Sequence, residues 1–487
     1  VAATYLVENG TSIRDLNRIF REELEAGTWT VRFFTPMKKE EIFVEIDPRT
    51  SRVIGFHKYQ DERNPGPALS QDAALAIARG AFASYGIDGS RFELKDALSF
   101  PQPRRRDWLF HFEERTPLGA QAFRRISIRV AGSEITQFNK HVYVPEHVRR
   151  DAETQTLMHI VLFALKIAGV VTLLALIVTG IIFASRAHGL PWRRALRWTA
   201  ILSIIPIAAS VAQYESMLFS YNTSVAWETF RIRLLTDFVR NVGLQAGLLF
   251  LALAGLEASL PYALSLVRSE GRARFGRSAA VAAVTALALA VVVDAGLEWL
   301  SIAFPSMARI DLHVSAAIAT PFSSLINGSQ AVVAAIIVSG AIALYALALR
   351  KHAALITIAA VFCALIDPSV TARQAPLMLI ESLLVALLVW LVARFLLDGN
   401  PLAWPLAVFL GIVLETAAVL LAQHRSDLTA HAIALAVFAA AALVWSAVSW
   451  PNRSQPAASA GSSTSFPRIE GPADASPTSP PTSGKSA

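Results

Sequence analysis

Up to about residue 150 the apolar residues recur at every second position or at every third and fourth. Beyond it they run together in stretches of about 20 residues, the length of a helix that crosses a bilayer core. The pattern predicts an α-helical polytopic membrane bundle of about nine helices behind an N-terminal α+β soluble head. In the head, Ile13, Leu16, Ile19, Phe20 and Leu24 share a helical face. Trp29 to Phe34, Ile42 to Ile46 and Val53 to Phe56 have strand character, with Asp47-Pro48-Arg49-Thr50 as the turn between the last two. The order then repeats. Ser70 caps a helix with Ala74, Ile77, Ala78, Ala81 and Phe82 on one face, and strands follow at Leu109 to Glu113, Ile126 to Val130 and Ile135 to Tyr143, with Ala131-Gly132-Ser133 as a hairpin turn. Residues 1–66 and 67–150 therefore read as two α+β units.

Residues 151–450 read as the membrane domain, with helices at 157–184, 198–218, 236–264, 278–300, 328–349, 353–367, 376–396, 402–422 and 429–449. The sixth is short enough to be re-entrant, which would invert everything after it. Ile302 to Gln330, containing Pro305, Pro321 and Asn327-Gly328, reads as an outer loop with an interfacial helix. Residues 451–487 are Ser, Pro, Ala and Gly with scarcely any large apolar side chain, which predicts a disordered tail.

Charge sets the orientation. Arg186, Arg193, Arg194 and Arg197 follow the first apolar run, and Arg268, Arg272, Arg274 and Arg277 follow the third. Lys and Arg in short loops stay on the cytoplasmic side, so both loops are expected inside and the head outside. Nine crossings then put the tail inside, in agreement with Arg350, Lys351 and Arg394 at inner helix ends. The chain begins at Val1, so an outward head calls for a signal or anchor segment ahead of it. The net charge of +7, which in a soluble protein would point to nucleic acid, is here explained by topogenic loops, and no nucleic-acid partner is expected.

Chemistry is sparse. The single cysteine, Cys363, excludes an intramolecular disulfide and a thiolate cluster. No glycine-rich phosphate loop and no His-Glu-x-x-His occurs, and His159, His424 and His431 lack the spacing of a hydrolytic zinc site, so no cofactor or metal is expected. Ionisable groups inside membrane helices are the best local candidates for function: Lys166, Glu257, Asp294, Glu298, Glu381 and Glu415, with Glu215. Asp294 and Glu298 lie one helical turn apart, and Lys166 and His159 are the expected counter-charges. The alternative is that these groups snorkel to the interface or hold helices together.

Trp29-Thr30-Val31-Arg32-Phe33-Phe34, Glu41 to Pro48, Arg52-Val53-Ile54-Gly55-Phe56-His57 and Val142-Tyr143-Val144-Pro145-Glu146 precede the first membrane helix. This arrangement, over roughly residues 1–450, resembles the long bacterial members of the CAAX-protease and bacteriocin-processing (CPBP) family, which carry PepSY-like units ahead of a membrane region. The resemblance implies a bacterial inner-membrane protein and, in catalytic members, an intramembrane endopeptidase with Glu-Glu-x-x-x-Arg, Phe-x-x-x-His and His-x-x-x-Asn/Asp on membrane helices. Here Glu22-Glu23, Glu40-Glu41 and Glu113-Glu114 lie in the head without the spaced arginine, and no membrane helix holds Phe-x-x-x-His. No catalytic residue carries over. The leading expectation is a non-catalytic membrane protein whose external head binds a peptide, an envelope component or a partner membrane protein. A peptidase relative with a missing or degenerate catalytic domain comes second and a transporter third.

Overall fold

The computed structural model describes residues 2–448 except 21–23, 25–27, 120, 155, 190, 260–268, 306, 308–320, 349–352, 397–399, 401 and 424. The expected tail, His424, Arg268, Arg350 and Lys351 lie outside the described residues.

The head opens with two short helices, α1 (Ala2–Glu8) and α2 (Ile13–Arg18), the second capped by the Ser12 side chain. Three strands follow: β1 (Trp29–Phe34), β2 (Glu41–Ile46) and β3 (Val53–Tyr59). The Asp47 carboxylate makes the expected turn between β2 and β3, accepting from the Arg49 N–H at 3.0 Å and the Thr50 hydroxyl at 2.8 Å. Helix α3 (Gln71–Ser84) starts at the Ser70 cap, and four strands complete the head: β4 (Phe92–Gln102), β5 (Arg105–Glu114), β6 (Phe123–Ala131) and β7 (Glu134–Tyr143). Gly132, at φ 60°, lets the β6–β7 hairpin close.

All seven strands form one antiparallel sheet in the order β1-β2-β3-β7-β6-β5-β4. The two expected units are thus joined edge to edge through β3 and β7. Strand β4 is absent from the sequence reading. It is an edge strand, and its Lys95, Asp96 and Pro101 are residues that edges tolerate and that mask the alternation of a strand. The helices cover one face. Ala74, Ala78 and Phe82 of α3 pack on Phe110, Phe112, Ile126, Ile128 and Phe138, and Leu6 and Leu16 of α1 and α2 on Ala122 and Val142.

Helix α4 (Glu146–Glu153) leads into the bundle, which contains α5 (Leu157–His188), α6 (Trp192–Leu202), α7 (Ile204–Ala212), α8 (Tyr214–Phe219), α9 (Trp227–Ser259), α10 (Ser269–Ala303), α11 (Pro321–Ala348), α12 (Ala353–Leu365), α13 (Ala375–Leu391), α14 (Ala403–Ala422) and α15 (Ser426–Ala447). Among the described residues seven spans are long and apolar enough to cross a membrane; Gly328–Leu344 and Leu355–Leu365 are apolar but shorter, so the expected nine are not all matched at that length. The second span is not one rod but three short helices in succession. Pro206 accounts for the first break, because its ring excludes a helical carbonyl four residues back, at Leu202, where α6 ends. Part of the expected outer loop is helical instead, since α11 already starts at Pro321 and runs through Asn327-Gly328. Gly328 serves packing there rather than a turn: a Cβ would stand 2.7 Å from the Phe438 ring.

Glycines set the closest helix approaches. A Cβ on Gly180 of α5 would lie 1.9 Å from the Leu344 carbonyl oxygen of α11, and one on Gly340 of α11 would lie 2.4 Å from Ala252 Cα of α9. Along α5, His159 meets Val370 beyond the end of α12, Gly169 meets Ala360 and Ala364 within it, and Gly180 meets Leu344 near the end of α11. Helix α12 therefore runs antiparallel to α5 over most of its length. A second core joins α10, α11, α14 and α15 around Ala283, Ala335, Leu410 and Leu435.

Candidate functional site

Three places in the molecule gather polar side chains in unusual settings. The first is a cleft in the head, which arises because strand pairing between β3 and β7 extends over only Phe56↔Phe138 and His57↔Gln137. On one side of these pairs the strands separate, and a cleft of about 400 Å³ opens between Ile54 of β3 and Asn139 to Val142 of β7, with Glu45, Ala2, Phe20 and Leu24 around it. Its lining is mixed: Ala2, Phe20, Leu24, Ile54 and Val142 are apolar, and Thr28, Glu45, Asn139, Lys140 and His141 are polar. Burial raises the pKa of Glu45, and no cation pairs with it among the described residues. Gly55 makes room for this carboxylate: a Cβ there would stand 2.6 Å from Glu45 Oε2. Burial, followed by the fields of Arg125 and His111, lowers the pKa of His141 to about 4, so the imidazole is neutral, and its buried Nδ1 meets no hydrogen-bond partner among the described residues. Arg125 is itself occupied by Glu113 at 2.7 Å and lies over the Tyr143 ring.

The second place is the junction of head and bundle. Arg32 of β1 pairs with Glu41 of β2, its Nε 2.9 Å from Oε2, and its Nη1 donates to the Phe219 carbonyl at the end of α8 at 2.6 Å. The guanidinium also lies over Phe34 and Phe43. Phe43 meets Phe219 edge-on, and Phe34 packs on Tyr221, which is fully buried among Trp227 and Phe230. Farther along, Arg425 at the start of α15 covers the Trp29 ring. The helix-free face of β1 and β2 is thus held against the loop between α8 and α9 by one charge-assisted hydrogen bond and a cluster of aromatic rings.

The third is the set of intramembrane charges. Among the described residues Glu257 is the one that is buried, and it accepts a hydrogen bond at 3.1 Å from Arg194, a side chain whose expected role was topological alone. Asp294, Glu298, Glu381 and Glu415 are exposed on the bundle surface, and Lys166 is half-buried. Among the described residues none of these five joins an ion pair. The expected pairing of Lys166 with Asp294 and Glu298 within the chain is not formed. Lys166 lies on α5, which packs on α9, α11 and α12, whereas Asp294 and Glu298 lie on α10, which packs on α13, α14 and α15. Nor is His159 a counter-charge to them. Its Nδ1 accepts from the Thr156 N–H at 2.9 Å, so Nε2 carries the proton and donates to the Val370 carbonyl at 3.1 Å. His431 is buried on α15, and no group of three metal-ligating side chains occurs among the described residues. The side chain of Glu215 lies outside the described residues.

Comparison with known protein families, with curated proteins and with solved structures finds no match for this chain.

Proposed function

We propose that this chain is a nine-crossing membrane protein whose head lies outside the cytoplasm, takes up an extended peptide segment in the β3–β7 cleft and passes its occupancy to the bundle. The observation that carries the reading is the abrupt end of β3–β7 pairing beside a cleft whose lining sets apolar side chains among polar ones. Beyond Phe56↔Phe138 no strand pairing covers the facing edges of the two strands, and such edges bind an added strand through main-chain hydrogen bonds while pockets select alternate side chains. Ile54, Phe20, Leu24 and Val142 suit apolar side chains, and the desolvated Glu45 carboxyl suits a lysine or arginine between them.

Nine crossings are supported by the course of α12, whose partners on α5 progress steadily from Gly169 to His159. The Arg clusters after the first and third spans support an outside head. Arg231, Arg233 and Arg240 at the outer end of α9 weaken that asymmetry, and Asp237 offsets them in part, 3.8 Å from Arg233 and 2.8 Å from Arg240. The route from cleft to bundle is short: Glu45 lies on the same strand as Phe43, which touches Phe219.

The test uses the full chain in lipid nanodiscs and fluorescein-labelled octapeptides of alternating valine and lysine. Binding that Glu45→Lys weakens at least tenfold, with slowed amide exchange at residues 139–143, is expected. Unaltered affinity in Glu45→Lys and in Asn139→Trp, which fills the cleft, would place any peptide elsewhere and refute the reading.

A further inference from the structure

We infer that this protein self-associates in the membrane, Lys166 of one copy pairing with Asp294 of the next, with Glu298 one turn away. Asp294 and Glu298 stand on the exposed face of α10 among Val291, Val292, Trp299 and Ile302, all of them exposed as well. The buried face of α10, Ala279, Ala283 and Ala286, is already used against its neighbours in the bundle. An ionisable pair on an outward apolar face, set below the helix end, demands a partner beyond the chain or a protonated, neutral state.

The complementary charge is carried by the chain itself. Lys166 lies on α5 beside the exposed Phe163, Ile167 and Val170, and no carboxylate pairs with it among the described residues. Its depth matches. Gly276 of α10 lies against Ser446 at the far end of α15, and Arg425, just before α15, touches the head, so Ala303 is the head-side end of α10, as Leu157 is of α5. Lys166 is nine residues from Leu157 and Asp294 nine from Ala303, about 13–14 Å along the axis in both cases. Two copies standing upright in one bilayer therefore bring the ammonium and the carboxylate to one level.

A lipid headgroup does not fit this place as well, because the phosphate layer lies at the helix ends rather than nine residues in. The contact uses two different surfaces, α5 of one copy and α10 of the next, because these helices pack on separate sets of neighbours. Such a head-to-tail interface repeats from copy to copy, into a ring where its rotation closes, and does not make a two-fold dimer.

Disulfide trapping in native membranes tests the pairing. With Cys363→Ala as background, Lys166→Cys with Asp294→Cys in one chain is oxidised, and a ladder of dimers and higher species is expected. Each single-cysteine variant is expected to stay mostly monomeric. A fast-migrating monomer, the mark of an intrachain disulfide, or no cross-link at all would overturn the proposal. Charge exchange provides the second readout, by native mass spectrometry from nanodiscs. Lys166→Asp is expected to lower the oligomer fraction at least fivefold and Lys166→Asp with Asp294→Lys to restore it. Monomeric wild-type protein, or an oligomer indifferent to both changes, would contradict the pairing.

Discussion

Replacing Gly340 by alanine should destabilise the bundle, whereas the same change at Gly247 should not. Both glycines lie within long helices, α11 and α9, where alanine is favoured by about 0.5–1 kcal/mol through the lower backbone entropy of the unfolded chain. At Gly247 nothing lies within 4 Å of the added methyl, so that gain is the whole effect. At Gly340 the methyl would stand 2.4, 2.5 and 2.6 Å from the Cα, Cβ and carbonyl oxygen of Ala252. Carbon atoms settle at about 3.5–4.0 Å, so α9 and α11 must part by about 1 Å. Two of the three opposing atoms are backbone and cannot turn aside. Separation also loosens the contact beside it, where Leu344 of α11 fills the space over Gly255 of α9 and its carbonyl meets Gly180 of α5. Overpacking of this kind costs about 1–3 kcal/mol, more than the propensity gain. In detergent-solubilised protein followed by intrinsic fluorescence on heating, Gly340→Ala should melt a few degrees below wild type and Gly247→Ala at or slightly above it. Equal melting temperatures for the two variants would mean that α9 and α11 do not meet at Gly340, and the packing described here would be wrong.

The Arg194–Glu257 pair should behave as a coupled unit. Arg194→Met removes the Arg194 hydrogen bond from the buried Glu257 carboxylate and should cost about 1–3 kcal/mol, and adding Glu257→Gln should recover part of it; additive losses would show that the pair is not formed. Acid should loosen the head through His141. Its folded pKa of about 4 lies below the ordinary 6.5, so between these values the unfolded chain binds a proton that the native head does not. The stability tied to the neutral imidazole is complete above pH 6.5 and is lost as pH falls through about 4, with His57 and His111 shifted in the same direction by burial. Hydrogen exchange of the head at pH 7 and pH 5 should show a smaller pH effect in His141→Gln than in wild type; an unchanged difference would remove His141 from the account.

The hydropathy of the membrane segments was legible because lipid imposes long apolar helices, and among the described residues seven of the nine expected segments coincide with helices long and apolar enough to cross, while the fifth and sixth fall on shorter apolar ones. Strands β1–β3 and β5–β7 were legible from their runs of β-branched and aromatic residues, and β4 was not because Lys95, Asp96 and Pro101 interrupt its alternation. Which helices are neighbours is another matter. Spacing along one helix placed Asp294 and Glu298 on one face but carried no information about α5, and the pairing with Lys166 inside the chain failed for that reason. Glu257 stood out as an intramembrane charge, while Arg194, far away in sequence, registered only as a topogenic residue. The cleft left no local trace, since it depends on where two strands from different hairpins stop pairing.

Nine crossings with an outside head require the head and the loops after α8 and α12 to lie on one side of the membrane, with the loop before α6 on the other. Single cysteines at Ser99, Ser224, Ser369 and Arg193, all exposed, in a Cys363→Ala background can be labelled in intact cells with a membrane-impermeant maleimide. Labelling at 99, 224 and 369 is expected without permeabilisation and at 193 only after it. Labelling of 369 only after permeabilisation would mean that α12 does not cross, and labelling of 193 from outside would reverse the orientation of the whole chain.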